Sequence, residues 1–224
     1  MSKKIEVEDK ILSKNDKLAN ELRQLFLDKK VLVINFVSSP GSGKTSILEN
    51  ILPKLSKKYR LAVIEGDLET ENDAERIRKA GIKAYQITTG GACHLEAFGI
   101  KNALPNFDLD NLDLLIIENV GNLVCPASFD LGEDFKIVVI STPEGDDKPA
   151  KYPSMIRASS AIIVNKIDLA EYMEFDVEKC INYAKQINPN LVEFRTSCKT
   201  KTGLDDLIAF IETKIEEKHA GIRG

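Results

Sequence analysis

A three-layer α/β fold, with a mostly parallel sheet covered by helices on both faces, is what this sequence predicts. Three observations carry it. Short apolar runs alternate with helical patterns along most of the chain, and such alternation builds parallel strands joined by covering helices. A glycine-rich turn, Ser38-Ser-Pro-Gly-Ser-Gly-Lys-Thr45, separates the first strand from its helix. Further polar motifs recur at the ends of later strands, which is where ligands bind in open parallel sheets.

Residues 5–29 form a charged helical pattern with apolar positions at Ile11, Leu12, Leu18, Leu22, Leu25 and Phe26, as expected of a helix laid against the domain. The run Val31-Leu-Val-Ile-Asn-Phe-Val37 is a strand, and a helix over 45–57 follows the turn. Strands are then expected at 61–66, 84–87, 113–117, 136–141, 161–164 and 191–194. Helices are expected at 72–80, 93–103, 149–158, 176–187 and 203–217. Residues 102–111 and 142–151 read as loops. The chain divides into an N-terminal helical segment (1–30), a ligand-binding domain (31–217) and a short tail (218–224). His219 falls in that tail and reads as solvated.

At 224 residues the chain has the size of one α/β domain with a full core. Its 43% apolar and 29% charged content is that of a globular protein. A formal charge of −4 argues against nucleic acid or an anionic membrane surface as a general partner. No apolar stretch reaches membrane-spanning length. The first residues, Met1-Ser-Lys-Lys-Ile-Glu6, lack the apolar centre of a secretion signal, so a cytoplasmic location is expected. Four cysteines in a reducing compartment read as thiols or metal ligands rather than as a disulfide framework.

The turn at 38–45 carries the first chemistry. Gly41 and Gly43 let successive backbone N–H groups face inward around phosphate oxygens, and the following helix adds its positive end. Ser42 and Ser46 flank the same anion. Lys44 supplies a compact cation for the β- and γ-phosphates, and Thr45 a hydroxyl for Mg²⁺. The strict pattern begins with glycine, and Ser38 stands there instead. This context makes the expected fold a three-layer P-loop NTPase.

Asn165-Lys166-Ile-Asp168, at the end of another apolar strand, selects the base. The Asp168 carboxylate can accept from the ring N–H and exocyclic amine that guanine has and adenine lacks. The Lys166 stem can lie on the base. Buried groups left unpaired by the wrong base make such a site selective. Ser197-Cys198-Lys199 follows the strand at 191–194 and completes a guanine pocket, so GTP and GDP are the expected ligands.

Glu118-Asn-Val-Gly121 ends the strand at 113–117, in the place of an Asp-x-x-Gly switch. Two further segments, Cys93-His94 after Gly90-Gly91 and Cys125 just beyond the switch, should reach the same sheet edge. Thiolate and imidazole suit Ni²⁺ or Zn²⁺. Cys180, on an amphipathic helix, reads as a core residue, Cys198 as a loop residue, and Arg76 as a residue on an exposed helix face.

Glu65–Arg76, Thr88–Ala97, Glu118–Pro126 and Pro143–Lys148, with the two nucleotide motifs, together resemble the HypB family, nickel-dependent hydrogenase maturation GTPases. The resemblance spans about residues 9–215. It implies a SIMIBI-class G domain that forms a homodimer when GTP is bound, and slow GTP hydrolysis. It implies Asp67 as a further residue on the Mg²⁺ side and in catalysis beside Lys44, with Glu118 reaching Mg²⁺ through water. It implies Cys93, His94 and Cys125 as metal ligands at the dimer interface, and Lys151 as a residue reaching the partner's guanine. Implied partners are a HypA-type nickel accessory protein, the hydrogenase large subunit directly or indirectly, and urease accessory proteins. Phe98 stands where several members carry another histidine, and the chain has no cysteine before Cys93 and no histidine-rich tract. The first departure removes a ligand and alters metal geometry and affinity; the second implies a protein that passes metal on rather than stores it. Three other readings start from the same residues: a GTPase for a different metal enzyme, such as the related urease accessory protein, which the Cys-His and Cys-Pro segments fit less well; a metal buffer with vestigial nucleotide binding; and a small-molecule kinase.

Overall fold

The computed structural model describes residues 3–69 and 71–221, with side chains from Leu12 onward. Ile11, assigned above to the apolar positions of the first helix, lies outside the described side chains. In chain order the elements are α1 (Lys3–Asp28), β1 (Leu32–Ser38), α2 (Lys44–Leu55), β2 (Leu61–Asp67), α3 (Asn72–Lys79), β3 (Lys83–Thr88) and α4 (Ala97–Ala103). Then come β4 (Leu114–Glu118), β5 (Phe135–Ser141), α5 (Lys148–Lys151), α6 (Pro153–Ala158), β6 (Ser159–Asn165), α7 (Val177–Ile187), β7 (Val192–Thr196) and α8 (Leu204–His219).

The strands form one sheet in the order β3-β2-β4-β1-β5-β6-β7, and every neighbouring pair is parallel. Side-chain alternation divides the core between two faces. Leu32, Ile34 and Phe36 of β1, with Leu114 and Ile116 of β4, meet Ile47, Leu48 and Ile51 of α2 and Leu207 and Ile211 of α8. Val31 and Val33, with Leu115 and Ile117, face Ala19, Leu22 and Phe26 of α1 and Ile100 of α4. Val37, Val138, Ile140 and Ile162 face Met155 and Ile156 of α6 and Ala184 of α7. Apolar residues on both faces of the central strands are what a doubly covered parallel sheet demands. β1 sits between β4 and β5, so the two halves of the sheet part at its carboxyl end. A crevice at that reversal is the standard ligand position of such folds.

Three local expectations are corrected. The helix expected at 93–103 begins only at Ala97, because Glu96 is extended (φ −117°, ψ 155°) and leaves Cys93–Glu96 in a loop. The helix expected at 149–158 is two short ones. Tyr152 (φ −124°, ψ 55°) breaks it before Pro153, as the residue preceding proline is driven out of helical conformation. His219 is not in a free tail: α8 continues to it, and its Nε2 lies 3.4 Å from Asp113 Oδ1.

α1 is held by polar contacts as well as by its apolar face. Asn15, 6% exposed, donates from Nδ2 to Asp130 O (2.8 Å) and accepts from Ala97 N at Oδ1 (2.8 Å). It thus satisfies the first N–H of α4, whose own N-cap residue makes no side-chain bond. Arg23 reaches both carboxylate oxygens of Asp130 at 2.6 Å. Asn15→Ala leaves two backbone groups unpaired and is expected to destabilise the fold by about 1–3 kcal/mol. Urea unfolding measures this, and an unchanged midpoint would refute the role.

Candidate nucleotide and metal site

The turn after β1 closes on itself before any ligand is considered. Lys44 Nζ donates to Ser38 Oγ (2.8 Å), and the Ser42 hydroxyl lies 2.8 Å from Ser39 O and 2.6 Å from Glu144 Oε1. Gly43 precedes α2 with φ 97°, and a Cβ there would stand 2.6 Å from Asn165 Nδ2, so conformation and space both require glycine. Asn165 donates to Ser42 O (2.9 Å) and accepts from Thr196 Oγ1 (3.0 Å). Lys166, itself at φ 61°, donates to Gly41 O (2.7 Å), and Asp168 Oδ1 accepts from Ser197 Oγ (2.5 Å). The phosphate turn, the Asn-Lys-x-Asp segment and the 197–199 loop therefore form one assembly. Cys198 is half-buried, and Lys199 is exposed. Lys151 lies on α5, paired with Asp147 (2.7 Å) and largely exposed.

A cavity of about 390 Å³ opens between this assembly and the ends of β2 and β4, lined by Lys44, Thr45, Ser46, Asp67, Glu118 and Lys166 among others. A larger one, about 480 Å³, lies at the opposite end of the strands and includes none of the motif residues. Asp67 closes β2, and its Oδ1 accepts from Leu68 N (2.6 Å). Thr45 Oγ1 donates to Glu118 Oε1 (2.8 Å), and Lys44 Nζ is 4.0 Å from the same carboxylate.

Two residues of this site were not singled out by sequence, and a third was assigned a different place. Glu65, 2% exposed, stands beside Glu118 in the β2–β4 register. Burial first, then the Glu118 charge, pushes the Glu65 carboxyl well above its ordinary value. Burial also raises Glu118, against Lys44 and Thr45, which pull it down. Glu65 Oε1 and Glu118 Oε2 are buried without hydrogen-bond partners. Two orphaned carboxylate oxygens beside a threonine hydroxyl suit a hard divalent cation. Glu144 buttresses the turn. Burial raises its carboxyl, but the donors Ser42, Ser39 and Ser141 outweigh this and hold it below the ordinary value. Arg76 is the third and corrects an expectation: it does not simply face solvent. Its guanidinium grips both oxygens of Glu49 (2.9 and 2.6 Å), Asp73 Oδ1 (2.9 Å) and Ser46 Oγ (3.1 Å), clamping α3 to α2.

The Glu65 proton makes stability pH-dependent. A carboxyl whose folded value lies above its unfolded one binds its proton more tightly when folded. Stability is then fully present below the ordinary value near 4.5 and is lost as pH rises through the folded value. Without nucleotide, the wild-type melting temperature is expected to fall relative to Glu65→Gln as pH rises from 5 to 9. Parallel curves in calorimetry would remove this account.

Cys93, His94 and Cys125 converge at the adjoining edge, their ligating atoms all within 4.8 Å of one another. Cys93 Sγ donates to Cys125 Sγ (2.8 Å), and His94 Nδ1 is 3.7 Å from Cys93 Sγ. The bond to Cys125, with some burial, raises the Cys93 thiol. Burial lowers the His94 imidazole despite Glu96, and its ring packs 3.8 Å from that of Phe129. His94 is therefore a neutral donor at pH 7, and two sulfurs with one imidazole are a soft, incomplete ligand set. Phe98, on α4, is 64% exposed, and Val124, next to Cys125 in the chain, is 63% exposed. Cys180 is buried in α7.

The fold and the phosphate turn define a P-loop nucleotide-binding protein with a sulfur–imidazole cluster at its edge. The family described as CobW/HypB/UreG, nucleotide-binding domain, matches residues 32–194. The hydrogenase maturation factor HypB of Escherichia coli is 50% identical over 210 residues, which is 94% of this chain and 72% of that protein. The hydrogenase/urease maturation factor HypB of Helicobacter pylori is 45% identical over 224 residues, 98% of this chain and 92% of that one. A crystal structure of Helicobacter pylori HypB in complex with nickel superposes with a TM-score of 0.87 at 44% identity, covering 94% of this chain and 98% of that one. The chain belongs to the HypB family. Among the described residues no helix is long and apolar enough to cross a membrane.

Proposed function

We propose that this chain is a GTP-hydrolysing metallochaperone that delivers nickel during [NiFe]-hydrogenase maturation, with GTP-dependent dimerisation gating the transfer. One observation carries this reading. The segment that begins at Glu118, bonded to the Mg²⁺-side hydroxyl of Thr45, ends at Cys125, whose sulfur touches that of Cys93. Nucleotide and metal sites thus share one short stretch of backbone. The relatives' names, hydrogenase maturation factor and hydrogenase/urease maturation factor, support the biological setting. The nickel complex of the Helicobacter pylori protein supports the cargo.

In this reading Gly41, Ser42, Gly43, Lys44, Thr45 and Ser46 hold the phosphates, and Asn165, Lys166, Asp168, Ser197, Cys198 and Lys199 the guanine. Thr45, Asp67 and Glu118 face Mg²⁺, which when bound neutralises charge on the β- and γ-phosphate oxygens. Hydrolysis is slow, because Arg76 is already engaged by Glu49 and Asp73 and leaves little charge stabilisation for the transferred group. Cys93, His94 and Cys125 hold Ni²⁺, with Zn²⁺ as competitor, and a second subunit completes the shell. A HypA-type protein and the hydrogenase large subunit receive the metal. Urease accessory proteins are the second set of recipients, a reading favoured by the Helicobacter pylori name.

Light scattering tests the gate. A dimer with a slowly hydrolysed GTP analogue, a monomer with GDP, and nickel bound per dimer are expected. A monomer in every condition would leave a nickel-binding protein on a GTPase scaffold.

A further inference from the structure

The site leaves a mechanical question open, because Cys93 is on a different loop from Cys125. Cys125 follows the switch directly, whereas Cys93 follows β3, at the sheet edge. Two asparagines bridge the loops. Asn119, 1% exposed, accepts from Leu95 N (3.2 Å) and Val120 N (2.9 Å) at Oδ1. Its Nδ2 donates to Asn35 Oδ1 (3.3 Å), and Asn35 donates in turn to the buried Glu133 (3.1 Å). Asn119 therefore pins the bases of both loops to the sheet. Asn122, three residues further along and half-buried, donates from Nδ2 to the Cys93 carbonyl (3.1 Å) and accepts from Val124 N (2.9 Å).

Between these asparagines the segment touches the phosphate turn. A Cβ on Gly121 would lie 2.9 Å from Pro40 Cα and 3.0 Å from Pro40 N, so the two backbones are in direct contact. A change in the turn on exchanging GTP for GDP therefore bears on Gly121, one residue from the Asn122 amide. The geometry points to Asn122 as the positioning residue that transmits the nucleotide state from the Pro40–Gly121 contact to Cys93, with Asn119 as its fixed anchor. Asn122 ligates nothing: it moves one ligand's backbone relative to the other ligand's.

This inference rests on the proposed nucleotide-gated metal transfer, and its test separates the two. Nickel dissociation constants are measured on the full chain by competition with a chromophoric chelator, with GDP and with a GTP analogue. The ratio of the two constants is the readout. In the wild type it should differ from one by at least about fivefold, the lower end of ordinary coupling. A wild-type ratio of one removes the gated reading and this inference with it. In Asn122→Ala the ratio should fall to within about twofold of one, while nickel affinity without nucleotide and GTP affinity stay near wild type. A retained ratio overturns the inference. So does loss of nickel binding in the nucleotide-free variant, which would make Asn122 part of the metal site. Asn122→Asp keeps the acceptor for Val124 N but cannot donate to the Cys93 carbonyl. It should also lose the ratio, and retention overturns the assignment to Cys93.

Discussion

Lys44→Ala is expected to weaken GTP binding by about two to four orders of magnitude. The ammonium is 8% exposed, held 2.8 Å from Ser38 Oγ and 4.0 Å from Glu118, at the mouth of the turn that would surround the phosphates. Charge-assisted hydrogen bonds contribute about 1.5–3 kcal/mol each. Losing two to phosphate oxygens costs on the order of 3–6 kcal/mol, and about 1.4 kcal/mol is a factor of ten. The same change also leaves Glu65 and Glu118 without their nearest cation, so the nucleotide-free variant should melt below the wild type. Titration calorimetry with GTP reads the first effect and thermal unfolding the second. GTP affinity within tenfold of wild type would mean that the turn does not hold the phosphates as described.

Cys125→Ser is expected to lower nickel affinity by about 100-fold or more, if the ten-or-more kcal/mol of a four-ligand thiolate–imidazole site divides roughly equally. The hydroxyl cannot replace a thiolate as a soft ligand. Proton displacement gives the pH signature. The Cys93 thiol is raised by its bond to Cys125, so binding must release its proton. His94 is lowered by burial and is already neutral at pH 7. Wild-type nickel affinity should therefore rise as pH increases from about 6.5 to 8. A flat profile, or a serine variant that binds nickel as the wild type does, would place the metal elsewhere.

The sequence announced the parts of this site that are contiguous. Residues 38–45 and 165–168 each carry their chemistry within a few positions, and the strand before each fixes where it points. The Cys93-His94 pair was visible as a pair. Its setting was not: the helix expected from 93 starts at Ala97, because Asn15, 82 residues away, supplies the partner for that first N–H. Glu65 lay within the strand expected at 61–66, with no role of its own. Only the pairing of β2 with β4 sets it against Glu118.

By itself the sequence determined the layered α/β class, the alternation of strand and helix, the phosphate turn and the guanine motif. Local periodicity and short-range backbone chemistry suffice for these. Tertiary structure alone decided the strand order, the Arg76 clamp and the asparagine bridges to Cys93. It also decided the contacts that tie Lys166 to Gly41 across 125 residues and Ser42 to Glu144 across 102. A hydrogen bond between distant residues leaves no period and no spacing in the chain. It exists because a parallel sheet gathers its carboxyl ends into one crevice, where polar groups cut off from water must find one another.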